Sequence, residues 1–83
     1  MKIRLRLFAT LRSFLPQECN GGETVIDLPD DAVIPDALAV FSVPVELPHI
    51  IFVNGRHVLR PNLADFHLKE GDILAAFPAI GGG

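Results

Sequence analysis

The stretch from Lys2 to Phe8 alternates strictly: Ile3, Leu5 and Leu7 share one side of an extended chain, and Lys2, Arg4, Arg6 and Phe8 share the other. Side chains of a strand point alternately to opposite faces, so this pattern specifies a sheet that is buried on one face and open on the other. An apolar Phe8 closes the otherwise polar side, which marks the open face as more than a solvated surface. The same parity is read in the last strand, Ile73 to Phe77, where Leu74 and Ala76 oppose Ile73, Ala75 and Phe77. If Leu74 and Ala76 join Ile3, Leu5 and Leu7 in the core, then Ile73, Ala75, Phe77 and Phe8 form an exposed apolar patch. Arg4 and Arg6 would rim it, should the two terminal strands be neighbours. The alternative is that loops cover Phe8 and Phe77, or that the inward parity is the reverse one.

The rest of the chain supplies partners for these two strands. Thr10 is an N-cap candidate for a short helical turn carrying Leu11, Phe14 and Leu15, which Pro16 ends. Asn20-Gly21-Gly22 is a turn. Glu23 to Leu28 reads as a second strand paired with the first, with Val25 opposite in parity to Ile26 and Leu28. Pro35 suits the first turn of a helix reaching about Phe41, with Ile34, Leu38 and Phe41 facing the core. Ile50-Ile51-Phe52-Val53 reads as a buried strand, Asn54-Gly55 as a hairpin turn, and Arg56 to Leu59 as the returning strand. Pro61-Asn62 opens a connecting loop, and Lys69-Glu70-Gly71-Asp72 makes a tight turn before the last strand. The expected fold class is α+β, a mixed five-stranded sheet with one main helix packed on one face, which is the outline of a β-grasp. The domain is expected over residues 1–78, with residues 79–83 as a flexible tail.

Composition narrows the function. Eighty-three residues with 49% hydrophobic and 20% charged side chains describe one small ordered domain. A lone Cys19 excludes a disulfide framework and suits a reducing compartment, so a cytoplasmic location is expected. A net charge of -3 argues against nucleic acid as a partner, and no apolar run approaches the roughly 18 residues of a membrane span. His49, His57 and His67 match no metal-ligand spacing, and neither a nucleophile-base pair nor a phosphate-binding glycine loop is present. No bound cofactor or metal is expected.

The chemistry therefore points to Gly81-Gly82-Gly83, the residues closing the sequence. Without Cβ atoms they can lie extended in a channel too narrow for side chains, presenting the α-carboxylate to another protein's active site. The plain alternative is a frayed or leftover end. A carboxylate reacts only after its oxygen becomes a leaving group, so any such chemistry belongs to a partner enzyme.

Taken in order, Ile3-Arg4-Leu5-Arg6-Leu7-Phe8-Ala9-Thr10-Leu11-Arg12, Phe52-Val53-Asn54-Gly55, Leu68-Lys69-Glu70-Gly71-Asp72 and Phe77-Pro78-Ala79-Ile80 before the glycines resemble the MoaD/ThiS sulfur-carrier family of ubiquitin-like β-grasp proteins. The resemblance implies a carrier that is not itself an enzyme. Its C-terminal glycine, here Gly83, would be adenylated by a ubiquitin-activating-like adenylyltransferase using ATP, and then converted to a thiocarboxylate. Gly82 would give the unhindered approach, Phe8 and Phe77 would anchor the partner, and Gly81 would join Ile73, Ala75, Arg4 and Arg6 in binding it. The opening segment is closest to the molybdopterin-synthase small subunit, which implies the large synthase subunit as sulfur acceptor. Arg60-Pro61-Asn62-Leu63-Ala64 and the triple glycine are similar to the thiamine-pathway carrier, which implies thiazole synthase. A protein modifier joined to lysines and a docking module that never reacts at its end are the other readings.

Overall fold

The computed structural model describes residues 1–16 and 21–79. Five strands, β1 (Lys2–Leu7), β2 (Glu23–Asp27), β3 (Ile50–Val53), β4 (Arg56–Val58) and β5 (Ile73–Phe77), form one sheet in the order β2-β1-β5-β3-β4. β1 and β5 run parallel at the centre, and every other pairing is antiparallel. The two alternating strands are neighbours, with Arg4 opposite Ile73 and Leu7 opposite Ala76. The inward parity is the one that puts Leu74 and Ala76 with Ile3, Leu5 and Leu7, all sealed from solvent.

The single helix, α1 (Ile34–Ala39), covers that inner face with Ile34, Ala37 and Leu38. Pro35 sits in its first turn, and the Asp36 carboxylate accepts the Val33 N–H at 3.0 Å, satisfying a donor the helix cannot. Its exit is a Schellman turn. Ser42 adopts φ 61°, the Ser42 N–H donates to Ala39 O, and the Val43 N–H donates to Leu38 O at 3.0 Å. Val43 and Leu38 are both buried, the apolar contact that accompanies this motif. Phe41 is only partly buried, because it lies in that turn and not on the helix face.

Three local readings are corrected. Thr10 is not the N-cap of the first turn: a 3₁₀-helix runs Ala9–Phe14, Phe8 occupies the cap position without a side-chain bond, and Ala9 enters at φ 52°. The segment beginning at Pro61 is not a plain loop but a second 3₁₀-helix, Arg60–Asp65, pinned to the core by Leu63. β3 is not buried on both faces, because Ile51 and Val53 enter the core while Ile50 and Phe52 remain half-buried on the open side. The Asn54-Gly55 hairpin and the Lys69–Asp72 turn form as expected, with left-handed φ at Asn54, Gly55 and Gly71. Gly22 is the glycine with no room to spare: at φ 73°, a Cβ there would lie 2.7 Å from the Leu7 carbonyl oxygen. Among the described residues no helix is long and apolar enough to cross a membrane.

Candidate functional site

The open face gathers its apolar side chains at one end of the central strands. Phe8 lies one residue past β1, where its N–H still donates to Ala76 O at 3.1 Å, so the extended backbone keeps the ring on the open side. The next residue, Ala9, reverses the chain through a left-handed conformation and sends Leu11 into the core. The Phe8 ring stacks on Phe77 with centroids 4.2 Å apart and planes 9° from parallel. Phe52 meets the same Phe77 ring edge-on, at 5.8 Å and 88°. These are the two arrangements that the aromatic quadrupole favours.

Together with Arg6, Ile73, Ala75 and the Asn54-Gly55 turn, the three rings line an open depression of about 540 Å³. Phe8, Phe52, Ala75 and Phe77 are half-buried, and Ile73 is 38% exposed. Contiguous, half-buried aromatics beside an arginine are the composition of a protein-docking surface.

The cations of this face are spoken for in part. Arg6 Nε lies 3.3 Å from Glu23 Oε1, within ion-pair range but outside hydrogen-bond alignment, and Arg4 Nε lies 3.6 Å from the other Glu23 oxygen. β2 supplies Glu23 directly across from Arg6. The Arg6 guanidinium also sits 5.5 Å from the Phe8 ring centre, a cation–π distance. The rim is therefore two arginines sharing one carboxylate. Farther along the same face, the Lys2 ammonium donates to Asp27 at 3.0 Å and so holds that exposed carboxyl below its ordinary range.

A polar brace borders the depression. The Asn54 amide nitrogen donates to Asp72 Oδ1 at 2.9 Å, Asn54 Oδ1 accepts the Ile73 N–H at 2.9 Å, and Asp72 Oδ2 accepts the Lys69 N–H at 2.8 Å. On the far side of β4, Arg60 donates to the carbonyls of Val45 and Pro48, tying down the irregular segment before β3.

Of the residues expected at the partner face, Phe8, Phe77, Ala75, Ile73 and Arg6 line the depression together. Arg4 stands beside Ile73 on the same face but does not line it. Gly81, Gly82 and Gly83 lie outside the described residues, as does Cys19. The three histidines are dispersed over the loop before β3, the edge strand β4 and an isolated bridge with Val33. Sequence reasoning missed Phe52, His57 packed on it at 5.5 Å, and Asn54. Phe52 shares the parity of Ile50, but in a run of four apolar residues no polar side chain distinguishes the open side from the buried one.

Comparison with known proteins places this geometry in context. No curated protein matches the chain. The fold is shared with the solution structure of the Haloferax volcanii HVO 2177 protein, at 26% identity and a TM-score of 0.74, covering 100% of this chain and 87% of that one. It is shared with SAMP1 from the same organism, at 24% identity and a TM-score of 0.69 over 100% of both chains. A putative molybdopterin converting factor subunit 1 from Pyrococcus furiosus superposes at a TM-score of 0.66 with 24% identity, over 95% of this chain and 98% of that one. The sheet order, the single covering helix and these neighbours make the fold a β-grasp. The ThiS family model matches residues 5–83, nearly the whole sequence, and the chain belongs to the ThiS family.

Proposed function

We propose that the chain is a sulfur carrier whose Gly83 carboxylate is loaded by an adenylating partner and then delivers sulfur for molybdopterin synthesis. The observation that carries this reading is the aromatic depression of Phe8, Phe77 and Phe52 on an open sheet face, from whose central strand β5 the sequence runs on within a few residues to Gly81-Gly82-Gly83. Ordering such a tail in a foreign active site costs about 1–2 kcal/mol per residue, and contacts made by the folded face offset it. Docking face and tail thus act as one device.

The steps balance without any group supplied by this chain beyond its carboxylate. An oxygen of Gly83 attacks the α-phosphorus of ATP and pyrophosphate leaves. A hydrosulfide equivalent held by the partner system then attacks the acyl carbon and AMP departs with the former carboxylate oxygen, leaving a thiocarboxylate. The thiocarboxylate sulfur then displaces a leaving group on an acceptor carbon to give a thioester, and water cleaves the acyl–sulfur bond, leaving the thiol on the acceptor and restoring the carboxylate. The likeness to a putative molybdopterin converting factor subunit 1 favours the large synthase subunit as acceptor, and a chain in the complex of subunits 1 and 2 of molybdopterin-converting factor from Helicobacter pylori has the same fold, at a TM-score of 0.62 and 19% identity over 100% of both chains. The family match leaves thiazole synthase as the second acceptor.

Incubation with the cognate adenylating enzyme, ATP and a sulfur donor is expected to raise the intact mass by one oxygen-for-sulfur exchange. An unchanged mass would overturn the reading. Deleting Gly83 should abolish the exchange while the circular dichroism stays that of the folded domain, and one residue added after it should do the same. Isopeptide-linked adducts on other proteins would instead favour a modifier, and pull-down with the loaded chain identifies the acceptor.

A further inference from the structure

We infer that Asn54 and Asp72 are positioning residues for the docking depression, an assignment that rests on the docking reading above. Asn54 and its neighbour Gly55 form part of the wall, with Ile73 beside them, and Asp72 is only 9% exposed directly beneath. No cation among the described residues pairs with that carboxylate; neutral amide donors hold it.

The hydrogen-bond inventory of the two side chains is complete and directional. Two backbone N–H groups, of Ile73 and Lys69, each find their acceptor on these side chains, and the side chains also bond to one another. Three acceptors and one donor are required. One amide and one carboxylate supply that set; two carboxylates face each other without a proton between them, and two amides leave like groups opposed. Backbone bonds flank the same two residues and bring three parts of the sheet together there, the Asn54 N–H donating to Ile73 O and the Arg4 N–H donating to Asp72 O, both at 2.9 Å. The pair thus locks the β3–β4 hairpin, which carries Phe52, against the start of β5, which carries Phe77. Releasing it loosens the end of the β3–β5 ladder beside Val53 and Leu74, and with it the wall of Asn54, Gly55 and Ile73 and the packing of the rings that this ladder carries.

Exchanging the two residues conserves the inventory, and KM is referred to the folded fraction of each variant measured by urea unfolding, so that loss of stability alone does not mimic the effect. The measurement is ATP consumption by the cognate adenylating enzyme as a function of carrier concentration. N54D and D72N are each expected to raise KM for the carrier about tenfold with kcat unchanged, since the tail is intact, which corresponds to about 1.4 kcal/mol of docking energy. The double exchange N54D/D72N should return KM to within about twofold of the parent. Single variants that bind like the parent, or a double variant as weak as the singles, would overturn the assignment.

Nuclear Overhauser contacts between the Phe8, Phe77 and Phe52 rings give an arm that needs no partner. They should weaken in each single variant and recover in the exchange; contacts preserved in the singles count against the pair. Should the parent chain not serve the adenylating enzyme at all, the docking reading fails while this arm still decides the assignment. Should the singles not fold, recovery of fold and ring contacts by the exchange supports it, and failure to recover refutes it.

Discussion

Leu74 and Phe77 stand three residues apart on β5 and face opposite ways. Leu74 is wholly enclosed in the core, whereas Phe77 is half-buried and touches two other rings on the open face of the sheet. A single strand therefore presents two surfaces by alternation: its even positions hold the domain together and its odd positions stand on the open face. The two sets of side chains are similarly apolar, so hydrophobicity alone does not separate them. Parity does.

The comparison is most easily broken from the inside. Leu74→Ala should destabilise the domain by about 2–5 kcal/mol, measured by urea unfolding, with partner affinity per folded molecule unchanged. Affinity that falls as well would mean that the core sets the open face directly. Phe77→Ala should behave inversely, weakening adenylating-enzyme binding by about 2 kcal/mol or more in titration calorimetry while unfolding shifts less than for Leu74→Ala. Equal losses of stability would make Phe77 an ordinary core residue. Val25 sharpens the contrast, being 53% exposed on the open side of the edge strand β2 yet remote from the rings. Val25→Thr should change stability by about 0.5 kcal/mol or less and leave binding alone, which would confine the docking surface to the depression.

The smallest effect belongs to the Lys2–Asp27 pair. Because Lys2 holds the folded-state carboxyl of Asp27 below its ordinary range, whatever the pair contributes is present above that range and fades as pH falls through the folded value. Both groups are solvated, so Asp27→Asn should leave the thermal midpoint at neutral pH within measurement error.

Much of this architecture was readable beforehand because it is local. Alternation in Lys2–Phe8 and Ile73–Phe77 announced the two faces, and Asn54-Gly55 announced its hairpin, since a left-handed pair of that kind suits few other turns. What stayed hidden depends on distance along the chain or on weak periodicity. The second 3₁₀-helix buries only Leu63, and one apolar residue defines no period. Phe52 sits in a run of four apolar residues, where nothing polar marks the outer side. Asp72 meets Asn54 across 18 residues, and Glu23 finds its two arginines only once β2 lies against β1. Adjacency of the parallel strands had to be supplied by the fold before Phe8 and Phe77 could be seen to stack. The assignment of Gly83 as the reacting end rests on sequence throughout.

One consequence of the strand order is mechanical. β5 is hydrogen-bonded on both flanks, to β1 in parallel and to β3 in antiparallel register. A force drawing on the backbone beyond Phe77, along the strand axis, cannot peel one ladder open rung by rung. It must shear both ladders at once, against bonds lying across the pull. Anything that grips the segment after β5 and tugs along the strand would therefore be hauling on a rope moored along both sides.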